Sequence, residues 1–364
     1  MVIYIINILS LFIWQYVYKK YNNKKDIKKI IIMGIVIQFS LLQGLRNFSI
    51  GSDTAKYVEY YDIISKNLGT TLYQWYAVEN LNMEIAWVIL IKLCGILHMP
   101  AQMFLILVAL IINGLLGLFI YRTSDDVILS FWLFICFEFF TLSFTMLRQM
   151  IAIMMVANSF VSLLHKDKKQ FILWNIGAIL FHKTAIIFII MYPLYWIIEK
   201  LSETKLNKMK YPVIFKTSVF VLILIGCSLI FSKLFIIVAK ALYSNYTFTK
   251  SELGGLWILM VCIYLLTLFT EYFQKKCDRK LLLFQLFALI CVSLQFCTIY
   301  ISQIFRATYY FYIFGIIAIP YCFKLLNKMK HIKMYRVILL ALTFAQYVLF
   351  SMNIYQLVPY RFCF

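Results

Sequence analysis

The chain has 364 residues, of which 63% are apolar and 14% charged, with a mean hydropathy of +0.86 and a formal net charge of +20. Soluble domains are roughly half apolar, and a core of this size could not hide so much more, so the composition excludes a soluble globular protein and makes lipid the solvent. The positive charge does not mark a nucleic-acid binder either, because 23 of the 35 Lys and Arg fall in five short clusters between apolar runs, as cytoplasmic loops do.

Residues 1–18 form the first apolar run, with no basic leader and no small-residue cleavage site, and predict a retained helix. The lysines of "KKYNNKKDIKK" (19–29) then mark the inner face and place the N-terminus outside. Residues 30–45 return outward, and 46–83, with three basic and four acidic residues, have the balance of an outer loop. Apolar runs at 85–97, 101–121, 127–145 and 149–164 lead to the inner cluster "HKDKK" (165–169). An even number of runs between opposite faces is inconsistent. The short run 85–97, interrupted by Lys92, is therefore expected to be interfacial, re-entrant or tilted.

Residues 170–198 are broken by "FHKTA" (181–185) and lie between basic clusters, which predicts a hairpin or two half-helices turning near His182. After the inner stretch 199–216, residues 217–239 go out and 240–255 form a second outer loop. Residues 256–273 come in to "KKCDRK" (275–280), 281–303 go out, and 307–323 come in to the basic cluster 324–336. Residues 337–354 go out to a short external tail. The nine cysteines lack a C-x-x-C pair and read as small apolar residues. The expected fold class is all-α: a polytopic integral membrane helical bundle of about 10–12 transmembrane or re-entrant helices. It is read as a single integral membrane domain, 1–364, with a long external loop after the second helix.

On this topology the polar residues that lipid disfavours gather on the outer face. They are Arg46 and Asp53 in "GLRNFSIGSDTAKYVEYY" (44–61), Glu84 at the end of the loop, Arg148, Arg306, and His182 with Lys183 at the hairpin turn. Each has a plainer reading: an arginine as a snorkelling anchor, Asp53 as a helix cap, the tyrosines as interfacial-belt residues, His182 as a satisfied core histidine. Together they suggest more. A helix starting near Ser52 puts Asp53, Tyr57 and Tyr60 on one face, where aromatic rings and an acid suit a sugar. Guanidinium forks pair phosphate oxygens bidentately, so the arginines suit a diphosphate. The combination points to a polyprenyl-diphosphate-linked glycan.

The ordered motifs R-x4-G-x-D-x3-Y-x3-Y (Arg46, Gly51, Asp53, Tyr57, Tyr61), "LRQMIAI" (Arg148, Gln149), "FHKTAI" (His182) and R-x-x-Y-Y (Arg306, Tyr309, Tyr310) resemble the signature of EpsG-type membrane proteins. Lys183 departs from it, standing where a small residue is common. The resemblance implies a Wzy-type polysaccharide polymerase of capsule, exopolysaccharide or O-antigen synthesis, in the bacterial cell (inner) membrane. Its substrate would be undecaprenyl-diphosphate-linked oligosaccharide, its surroundings membrane lipid, and its partners a chain-length regulator and a flippase. The implied catalytic candidates are Asp53, His182 and Glu84. Arg46, Tyr57, Tyr61, Arg148, Gln149, Arg306 and Tyr310 are the substrate-binding candidates. No D-x-D motif is present, so no metal or other cofactor is demanded. Two alternatives stand: a flippase of the same lipid-linked glycan, whose arginines would line a cavity open to both faces, and a membrane acyltransferase built on His182.

Overall fold

The computed structural model describes residues 2–21, 26–67, 69, 83–196, 255–275, 278–299, 302–351 and 355–364. The stretches 70–82 and 199–216, the apolar run 217–239 and most of the loop 240–255 lie outside the described residues. The fold class is as expected: the described residues are helical, with a single isolated bridge, Arg46↔Phe362. In lipid every backbone N–H and C=O must be satisfied within the chain, and long apolar runs do so as helices.

The helices are α1 (Val2–Lys20), α2 (Ile27–Gly44), α3 (Thr54–Lys66), α4 (Ile85–Ile96), α5 (Ala101–Thr123), α6 (Val127–Cys136), α7 (Phe139–Leu142), α8 (Leu147–Leu164) and α9 (Lys168–Phe181), followed by a 3₁₀ segment, Lys183–Ile190. Then come α10 (Leu256–Gln274), α11 (Arg279–Cys297), α12 (Phe305–Tyr312), α13 (Gly315–Leu325) and α14 (Ile332–Gln346). Among the described residues seven helices are long and apolar enough to cross a membrane, and the pair Ser302–Tyr312 and Gly315–Leu325, bent by 41°, reads as one broken span. The run 127–145 is also broken, by Glu138 in the left-handed region (φ +68°). The helical run breaks at His182, between α9 and the 3₁₀ segment.

The chain packs as two compact units. The first comprises Met1–Val161, Lys169–Ile186 and Lys333–Phe364. At its centre lies α6, with all ten residues buried, capped where the Asp126 carboxylate accepts from Leu129 N at 3.1 Å. Helices α2 and α5 touch closely: a Cβ at Gly44 would sit 2.8 Å from Ile106 Cα. Buried amides fix their register, Asn113 donating to Gln43 Oε1 at 2.7 Å and Gln43 to Ser143 Oγ at 2.5 Å.

The two ends of this unit can be told apart. At one, Lys28 donates to Tyr121 O at 2.8 Å and Arg336 pairs with Asp126 at 2.6 Å, so two basic clusters meet the α5–α6 turn, as an inner face requires. At the other, Gln102 donates to Gly44 O at 2.5 Å and Arg46 O at 3.2 Å. Both ends of α4 belong to this outer level. Glu84, just before it, meets Arg148 in the first turn of α8, and Met99, just after it, accepts from the Tyr61 hydroxyl. Twelve residues rise only about 18 Å, against about 30 Å of hydrocarbon. Helix α4 therefore does not cross. Three crossings remain, by α5, the broken α6–α7 run and α8, and the parity problem disappears.

The second unit comprises Ser162–Lys168 and Ile187–Ile332. Helices α10 and α11 pack side by side, tied by Gln285 donating to Glu271 at 2.8 Å. Asp278 caps α11 through Leu281 N at 2.8 Å and accepts the Tyr321 hydroxyl from α13. Phe287 and Phe314 stack at 4.1 Å, with Phe188 against both.

The placement of α4 has a direct test. In a background without native thiols, a cysteine replacing exposed His98 should label with an impermeant reagent in intact cells, and one replacing exposed Arg122 should be shielded. Shielding at 98 would mean that α4 spans the membrane.

Candidate functional site

Where α2 ends, the chain must satisfy polar groups without a helix ladder, and Arg46 does this from within. It is 0% exposed, donating to Gln43 O at 2.5 Å, to Phe144 O at 3.1 Å and, more weakly, to Thr54 Oγ1 at 3.5 Å. Its guanidinium also lies 5.2 Å from the Phe144 ring centre. No carboxylate pairs with it among the described residues, and burial pulls its pKa down to about 10, against the raising influence of nearby tyrosines. Gly51 is needed in the same turn, at φ +95° with its Cα facing Phe144 O.

The C-terminal residues close this region from above. Asn47 N donates to Arg361 O at 2.9 Å, Cys363 N to Leu45 O at 2.9 Å, Gly51 N to Gln356 O at 3.2 Å and Ser52 N to Tyr355 O at 3.0 Å. The Tyr360 hydroxyl donates to Leu42 O at 2.7 Å, and Tyr4 reaches Leu357 O at 3.0 Å. The tail thus acts as a strap over the 45–52 loop.

Held this way, the loop delivers Asp53 to the start of α3. Asp53 occupies the cap position, yet its side chain makes no capping hydrogen bond, and it is half-buried. One turn on, Tyr57 packs edge-on against buried Trp87, with ring centres 5.6 Å apart. Its hydroxyl lies close enough to Arg148 for the two to interact electrostatically. Burial raises the Tyr57 pKa, Arg148 opposes that rise, and the nearby Asp53 charge adds to it. Arg148 in turn pairs with Glu84 Oε2 at 2.5 Å, and Glu84 Oε1 accepts from Lys183 N at 3.3 Å. The side chains of this pair are 23% and 10% exposed. On the same turn His182 Nδ1 lies 2.6 Å from Thr184 Oγ1. An arginine, a second acid and the histidine turn are thus joined, with Tyr57 and Asp53 beside them, drawn from four separate parts of the chain.

Other predicted residues lie elsewhere. Arg46 is a pin rather than an open ligand contact, because carbonyl oxygens already hold its fork. Tyr61 is 2% exposed and stacks on Phe104 at 4.5 Å, within the α3–α5 packing. Gln149 at 3% and Tyr310 at 0% exposure are core residues of the first and second units. Arg306 belongs to the second unit, half-buried, with its guanidinium 5.9 Å from the Phe305 ring. Sequence reasoning missed Trp87, the main-chain N–H of Lys183, and the strap with Tyr360. Main-chain donors and acceptors leave no mark in the sequence.

The class defined by this fold and site is a multi-pass helical membrane protein with a paired acid–arginine site at one end of its helices. The family model of the EpsG family matches residues 29–362, and the chain belongs to that family of Wzy-like polymerases. Membership supports a polysaccharide-polymerase-like role in general. No curated protein and no solved structure matches the chain.

The pin reading of Arg46 predicts a stability effect. Arg46→Lys keeps the charge but cannot reach both carbonyls, and an orphaned buried acceptor costs about 1–3 kcal/mol. The purified variant should melt several degrees below the wild type. An unchanged melting temperature would free Arg46 for ligand binding.

Proposed function

We propose that the protein polymerises polysaccharide repeat units at the outer face of the bacterial cell (inner) membrane. It would transfer a growing undecaprenyl-diphosphate-linked glycan onto a lipid-linked repeat unit, yielding capsule, exopolysaccharide or O-antigen. In this reading the acceptor's non-reducing-end hydroxyl attacks C1 of the growing chain, its proton passes to a carboxylate, and undecaprenyl diphosphate leaves with the bonding electrons.

One observation carries the reading: an acid without a capping bond, Asp53, stands one turn from a tyrosine beside a largely buried arginine. Transfer from a diphosphate requires a base for the hydroxyl and a cation for the leaving group. Asp53 fits the first need, because its side chain makes no capping bond to α3. Arg148 fits the second, with Tyr57 as a hydroxyl beside both. His182, bonded to Thr184 on the adjoining turn, is the second candidate base. Arg306 is proposed as a phosphate-binding cation on its chemistry alone. A chain-length regulator and a flippase are the proposed protein partners, since lipid-linked units must be delivered outside and chains must be stopped. A flippase role for this chain is disfavoured by the grouping of these polar residues at one end of the first unit.

Asp53→Asn removes basicity while keeping size. If Asp53 accepts the proton, polymerisation should fall on the order of 10²-fold or more, and single lipid-linked repeats should accumulate at normal expression. Asparagine is nearly as good a helix cap as aspartate. A preserved ladder of long chains on a gel would thus remove Asp53 from catalysis.

A further inference from the structure

The Glu84 carboxylate bridges two donors of the kind that bind phosphate: the Arg148 guanidinium at 2.5 Å and the Lys183 main-chain N–H at 3.3 Å. The two donors come from α8 and from the turn after α9, and this carboxylate joins them. Its side chain is only 10% exposed, so it is an internal anion in a preformed anion site. We propose that Glu84 is a resident placeholder, which an incoming diphosphate displaces from Arg148 and Lys183 N. The identity of the ligand rests on the functional reading above; the displacement does not.

The energetics run in the right direction. Arg148 is largely buried, so its charge needs a partner at every stage. A diphosphate offers it more charge and more acceptor oxygens than one carboxylate does. Displacement also frees Glu84 from Lys183 N, so arrival of the diphosphate at α8 is felt at the turn carrying His182. Glu84 is then a positioning residue and not the base. Its carboxylate is held by an arginine and a main-chain N–H in the resting state, so it is not open to a substrate hydroxyl.

The test uses the full-length protein in phosphatidylcholine nanodiscs, titrated with inorganic pyrophosphate in a calorimeter. Glu84→Gln should bind pyrophosphate about tenfold more tightly than wild type, which is about 1.4 kcal/mol. Adding Arg148→Lys to that variant should abolish the gain. Should Glu84→Gln not fold, Glu84→Asp shortens the reach of the carboxylate and should also tighten binding. Equal or weaker binding by the folded Glu84 variant overturns the proposal, as does an absence of binding by both proteins. Phosphatidylglycerol in the disc should leave pyrophosphate binding in place; displacement by that single-phosphate headgroup would give the site to bulk lipid and overturn it. Chain length in cells expressing Asp53→Asn judges the polymerase reading separately, since pyrophosphate binding needs neither acceptor nor catalysis.

Discussion

A buried guanidinium with main-chain carbonyls as its acceptors organises the outer end of the first unit. Arg46 ties the end of α2, through Gln43 O, to the approach to α8, through Phe144 O. These are backbone groups that lipid cannot satisfy and no helix ladder reaches, so one cation answers two needs. Arginine suits the position better than lysine, because its planar fork spans separate acceptors and stays charged when buried. Thr54 and Gly51 are placed by the same contact, one through its hydroxyl and the other through the lack of a Cβ against Phe144 O. Asp53 stands between them and inherits its position.

The strap extends this logic. Residues 45–52 are irregular backbone at a helix mouth, and each exposed N–H there would cost free energy near the hydrocarbon. The C-terminal residues supply the missing partners in short antiparallel pairing, and Leu357 is buried beneath them. Arg46 is buried because this cover exists. The two ends of the chain and the 46–53 loop form one structural element, although more than 300 positions separate Tyr4 from Leu357.

Much of the fold was legible because lipid imposes a simple rule: long apolar runs become helices, and lysine clusters choose their side. The break at His182 was readable from the interruption of the apolar run by "FHKTA". The break at Glu138 was not readable. Nothing in "ICFEFF" resembles the glycine or asparagine that usually marks a left-handed residue. Sequence also grouped Arg46, Tyr57, Tyr61 and Arg148 as equals, because spacing reveals which residues share a region and not what lies opposite them. Tyr57 and Tyr61 sit one turn apart on α3. The first meets Arg148, and the second meets a carbonyl at the α4–α5 turn. That difference arises from how α4 folds back at the outer level, information carried by its length and by Glu84.

The same sorting separates the two acids. Both Asp53 and Glu84 precede a helix, and neither side chain caps it. Glu84 is committed to an arginine and a main-chain N–H. Asp53 has no such commitment, and its principal neighbour is a tyrosine whose hydroxyl already faces Arg148. In the proposed reaction, which must take a proton from a weakly acidic sugar hydroxyl while stabilising a departing anion, the two acids would divide the work. Asp53 would accept the proton, and Glu84 would hold Arg148 until a stronger anion arrives.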